Sequence, residues 1–154
     1  MKLVSPYIFI CLLQMLCLIK AQAQKQPVQW TITIDSVSKD VQSVHFDARI
    51  AMGWHLYSQY IEEGGPIPTT FVFKQDGYKT LGVPSEEGKR VVFHDDTYDM
   101  EVSWYSDRVM FVQKIKLEGS AKVLKGYIDY MVCNGEVCLP SKKDFSLPIS
   151  LGRK

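Results

Sequence analysis

Trp30-Thr31-Ile32-Thr33-Ile34-Asp35 alternates apolar and polar side chains residue by residue. A period of two puts Trp30, Ile32 and Ile34 on one face of a β-strand and Thr31, Thr33 and Asp35 on the other. The chain repeats this pattern downstream. Turn chemistry from Asp35-Ser36 to Lys39-Asp40 leads into a second alternating run of Val44, Phe46, Ala48 and Ile50. After a glycine break, Gly53-Trp54-His55-Leu56-Tyr57 reads as a short strand, and Gly64-Gly65-Pro66-Ile67-Pro68 as a loop. Thr70-Phe71-Val72-Phe73 is a further strand, closed by Gln75-Asp76-Gly77.

Residues 82–90, with Gly82, Pro84 and Gly88, read as a loop. Val102 to Tyr105 and Val109 to Leu117 read as two strands of a hairpin turning at Ser106-Asp107-Arg108. Val123 to Val132 alternates again. The last run, Phe145, Leu147 and Ile149, carries Pro148 and suits an edge strand. No window of a dozen residues holds a helical period. Seven to nine short strands at regular spacing predict an all-β fold, an immunoglobulin-like β-sandwich. Trp54, Tyr57, Phe71, Phe73 and Phe111 are expected in its core.

The 154 residues suffice for one domain with a real core. Hydrophobic residues at 46% and charged residues at 23% exclude a disordered chain. A net charge of +1 with interspersed signs gives no basic groove for nucleic acid and no polybasic membrane patch. Lys2, the nearly unbroken apolar run Tyr7 to Ile19 and the small-residue site Ala21-Gln22-Ala23 predict a secretory signal cut after Ala23. That run is too short for a comfortable transmembrane helix, which needs about 20 residues. The expected domain is therefore 24–154, exported and not membrane-spanning.

Removal of the signal takes Cys11 and Cys17 with it and leaves Cys133 and Cys138, in a compartment that permits a disulfide. They sit in Tyr130-Met131-Val132-Cys133-Asn134-Gly135-Glu136-Val137-Cys138-Leu139-Pro140. A four-residue loop would set them opposite each other, whereas a two-residue turn at Asn134-Gly135 would pair Cys133 with Glu136. As a permanent staple so short a loop gains little, about 2 kcal/mol in the loop-entropy model. The residues alone leave a redox pair, a static bridge and a metal site open.

His45, His55 and His94 are far apart in sequence, without paired metal-ligand spacing, and read as strand or loop histidines. Asp95-Asp96 with Asp99 and Glu101 lacks the glycine-centred spacing of a calcium loop. No metal or cofactor is expected. No serine–histidine–aspartate order, phosphate loop or catalytic carboxylate pair stands out.

Four motifs in order make the chain similar to a known family. Gly53-Trp54-His55-Leu56-Tyr57 resembles a Gly-aromatic-x-Leu-Tyr strand, and Phe93-His94-Asp95-Asp96-Thr97-Tyr98 an acidic segment ending in an aromatic residue. Tyr105-Ser106-Asp107-Arg108-Val109 resembles a Tyr-x-Asp-Arg-hydrophobic hairpin, and Tyr130-Met131-Val132-Cys133 with Cys138-Leu139-Pro140 a Tyr-x-x-Cys and Cys-x-Pro pair. Together they resemble the N-terminal periplasmic domain of the thiol:disulfide interchange protein DsbD, in stand-alone form.

The resemblance implies an immunoglobulin-like periplasmic domain that relays reducing equivalents through Cys133 and Cys138. Its partners would be thioredoxin-fold proteins or a separate membrane thiol reductase. Cys138 would attack and Cys133 resolve. Tyr98, with Asp96 two residues before it, would belong to a cap loop over the pair, and Tyr57 and Tyr130 would border the site. The cysteine spacing is shorter than in the best-known members. The alternative is a non-enzymatic immunoglobulin-like binding module with a static disulfide.

Overall fold

The computed structural model describes residues 26–149 except 75, 120 and 121. The expected signal segment, with Cys11 and Cys17, lies outside the described residues. Among the described residues there are eight strands and no helix: β1 (Val28–Ser36), β2 (Val41–Ile50), β3 (His55–Tyr57), β4 (Thr70–Lys74), β5 (Tyr78–Asp95), β6 (Met100–Leu117), β7 (Val123–Cys133) and β8 (Cys138–Pro148). All pairings are antiparallel. The path β1-β2-β6-β3-β7-β4 carries β5 on β6 and β8 on β7, so the sheet curls into two layers bridged by β3.

Alternation puts Phe46 of β2 and Phe111 of β6 inside one layer, where both are fully buried. From the other layer Phe71 meets Phe46 and Phe111 at ring separations of 4.8 and 5.1 Å, and Phe145 meets Phe46 at 5.2 Å. Trp54, Phe71 and Phe73 are partly buried against this core. These are the aromatic residues the alternation points inward. The fold is an immunoglobulin-like all-β architecture.

Two segments differ from the sequence reading. Residues 82–90 are strand, within β5, rather than loop. Their glycines and proline sit where the register slips, between Leu81 and Ser85 and between Gly88 and Arg90. An irregular strand uses such residues as bulges. Likewise, Ser106-Asp107-Arg108 is not a hairpin turn but a corner inside the continuous β6. There residues 106–108 stand opposite the single residue Lys89, and Asp107 takes a left-handed φ of 62°. Before the corner β6 pairs with β3, and after it with β2. Turn chemistry thus bends one strand between layers instead of ending it. Arg108 braces the bend, donating through Nε and Nη2 to the two Asp47 oxygens at 2.8 and 3.0 Å.

Candidate functional site

β3 has only three residues, and its alternation decides the site. Leu56 points into the main core, opposite Val132 and Tyr105. His55 and Tyr57 therefore point to the other side, where His55 pairs with Cys133 and Tyr57 with Trp104. Tyr57, Val102 and Cys133 form a second small core there, with Phe93, Met100, Trp104 and Met131 packed against it. The rings of Phe93 and Trp104 lie 4.0 Å apart, Trp104 and His55 4.2 Å, and His55 and Tyr57 5.4 Å.

A carboxylate holds the chain just beyond β3. Glu86 of β5 accepts from the Ser58 hydroxyl at 2.8 and 2.9 Å, from Gln59 N–H at 2.7 Å and from the Tyr105 hydroxyl at 2.6 Å. Burial and that bond to Glu86 push the Tyr105 phenol far above its ordinary pKa. Thr69 adds a hydroxyl bond to the Tyr57 carbonyl at 2.6 Å.

Cys133 ends β7 and Cys138 begins β8, directly opposite in register and joined by a disulfide with Cα atoms 4.1 Å apart. The four-residue loop forms, not the two-residue turn. Asn134 closes it, its Oδ1 accepting from Glu136 N–H at 3.0 Å and Val137 N–H at 2.9 Å. Gly135 takes the positive φ of 87° the loop needs. The two cysteines differ in access: Cys133 is 2% exposed, whereas Cys138 is exposed.

A cleft of ≈ 330 Å³ opens over the disulfide, lined by both cysteines, His55, Tyr57 and Trp104 beneath and by Asp95, Thr97 and Tyr98 above. The upper wall is the tip of the β5–β6 hairpin. Thr97 N–H donates to Asp95 Oδ1 at 2.8 Å, and Asp99 turns the chain with φ 52°. Burial lowers the His55 pKa, partly opposed by Asp95. Burial, with Asp95 and Tyr98 nearby, raises that of Tyr57.

Of the residues singled out in the sequence, Cys133, Cys138, Tyr57 and Tyr98 share this cleft. Asp96 and Tyr130 do not. The Asp96 side chain is fully exposed, 3.9 Å from His94, and it is Asp95 that lines the cleft. Tyr130 is three residues from Cys133, so the period of two sends it to the opposite face. It is buried in the main core, its hydroxyl donating to Gln26 Oε1 at 3.3 Å. Sequence reasoning missed His55, Phe93, Asp95 and Trp104 as cleft residues. For His55 the available signal was its place two residues from Tyr57 in one short strand. His45 and His94 lie elsewhere, beside Asp35 and Asp99 respectively.

The fold and its cleft define an all-β domain with a disulfide under a cleft at one end of the sheet. The chain belongs to the family "Thiol:disulfide interchange protein DsbD, N-terminal", whose model matches residues 21–150. The family's description names thiol:disulfide interchange, and the Cys133–Cys138 bond supplies the cysteine pair such chemistry would use. Among solved structures it is similar to the N-terminal periplasmic domain of ScsB from Proteus mirabilis, with TM-score 0.58 and 21% identity. That match covers 86% of this chain but 49% of the ScsB chain, so this chain spans about half its length. A reduced DsbD N-terminal domain from Neisseria meningitidis also matches, at 21% identity and TM-score 0.43, over 79% of this chain and 84% of that one. No curated protein matches. Among the described residues, no helix is long and apolar enough to cross a membrane.

Proposed function

We propose that residues 1–23 export this domain to the periplasm, where it relays reducing equivalents from a separate membrane thiol reductase to thioredoxin-fold partners. The observation that carries the proposal is an exposed Cys138 bonded to a buried Cys133 under one cleft. In the reduced domain the Cys138 thiolate attacks one sulfur of the partner's disulfide. A mixed disulfide forms, and the other partner sulfur leaves as a thiolate. The Cys133 thiolate then attacks Cys138 Sγ, closing the internal disulfide and expelling the second partner sulfur. Two electrons pass from the domain to the partner, and the membrane reductase restores them by the reverse exchange. Tyr98, carried with Asp96 on the hairpin tip, guards the pair between encounters, and Tyr57 forms part of the floor.

Trapping tests the proposal. A Cys133→Ala domain should accumulate a mixed disulfide with a thioredoxin-fold protein, and a Cys138→Ala domain should not. The pair's reduction potential should lie above about −300 mV, the upper range of inert structural bridges. No trapped species and a potential well below that value would leave a static disulfide on a binding module.

A further inference from the structure

The relay just proposed leaves one proton unassigned. Cys133 resolves the mixed disulfide as a thiolate, yet it is 2% exposed. Burial disfavours the charged sulfur and keeps bulk water from taking the proton. A resolving thiol in that position needs an acceptor built into the protein.

Resting on that reading, we propose that the His55 imidazole accepts the proton of the Cys133 thiol as Cys133 attacks Cys138 Sγ. His55 is the residue opposite Cys133 on β3. Directly opposed residues share a face, with Cβ atoms about 4.5–5.5 Å apart. Both line the one cleft. The Trp104 ring, 4.2 Å away and inclined by 32°, fixes the imidazole plane on the side away from β7. The other ionisable groups around the cleft are Tyr57 on β3, Asp95 on β5, Tyr98 on the hairpin tip and Glu136 in the cysteine loop. Burial lowers the His55 pKa, so the ring is neutral and able to accept near neutral pH. Asp95, which favours the protonated ring, then steadies the imidazolium. The step balances: the S–H proton moves to imidazole, the new sulfur–sulfur bond forms, and the partner leaves as a thiolate. The imidazolium returns its proton to that thiolate or to water.

A nitrobenzoate disulfide, which frees a coloured thiolate at each step, separates the two half-reactions on the reduced domain. The first release reports attack by Cys138 and the second resolution by Cys133. His55→Gln should slow the second release relative to the first by at least about tenfold near pH 7. The gap should narrow as pH rises, because hydroxide then takes the thiol proton without the imidazole. A ratio unchanged from the native domain, or changed equally at every pH, would overturn the assignment. No first release from the native domain would instead sink the relay itself. A second measurement needs no His55 variant. The His55 ring should titrate at lower pH in the reduced native domain than in Cys133→Ala, because a thiol opposite donates to the neutral imidazole and favours that form. Coincident titrations would refute the pairing.

Discussion

Cys138 stands exposed directly opposite Cys133, which is 2% exposed, although a disulfide joins them and their Cα atoms are 4.1 Å apart. One sulfur belongs to a strand that begins at the surface, the other to a strand that ends in a small aromatic core. After reduction, limiting alkylation followed by peptide mapping should therefore label Cys138 at least about tenfold over Cys133. Equal labelling would contradict the asymmetry.

Tyr98 is 38% exposed and forms the upper wall of the cleft over these sulfurs. Tyr98→Ala should speed alkylation of the reduced pair by about threefold or more, with little change in unfolding midpoint, as expected of a loop residue. An unchanged rate removes Tyr98 from its guarding role.

Glu86 ties Ser58, Gln59 and Tyr105 together beside β3. Glu86→Gln keeps the shape but weakens charge-assisted bonds, and should cost about 2 kcal/mol in urea unfolding. Because the tie anchors the strand carrying His55, alkylation of Cys133 should quicken in the same variant. A loss under about 0.5 kcal/mol would mean that solvent replaces the network.

His55 gives the domain an acid-sensitive component. Its folded pKa lies below the ordinary 6.5, so the unfolded chain takes up a proton first as pH falls. The stabilisation from keeping the ring neutral is complete above about pH 6.5 and is lost as pH falls through the folded value. Urea midpoints at about pH 8 and about pH 5 should differ less in His55→Gln than in the native domain. An identical pH dependence in the two proteins would count against it.

Gly126 lies between Phe73 of β4 and Phe145 of β8. A Cβ there would meet the Val72 carbonyl oxygen, and the Phe145 ring at 2.6 Å. Gly126→Ala should cost about 3 kcal/mol or more in the same urea assay. A near-native midpoint would show that β4 can move aside.

Alternation made most of the fold legible, because β2, β6 and β7 each bury one face over most of their length. What it could not show was where a strand bends. Gly82, Pro84 and Gly88 look like loop residues, yet they mark slips in an edge strand. Asp107 looks like the tip of a hairpin, yet it turns one strand between layers. The cysteines, Tyr57 and Tyr98 stand out in the sequence through ordered motifs, whereas His55 reads as an isolated histidine. Its significance is a cross-strand relationship between residues 55 and 133. Tyr130 failed for the opposite reason: near Cys133 in sequence, it lies on the wrong face of the same strand.

The disulfide closes the last of eleven register pairs between β7 and β8. The other ten are held by the backbone ladder and not by the sulfurs. The bond is thus a hasp on an already closed door, and opening it should leave the frame standing. On the proposed relay, the domain would be charged and discharged with electrons repeatedly without refolding between turns. Backbone amide signals should accordingly shift on reduction only around the cleft, while the Phe46–Phe71 end of the sandwich stays still.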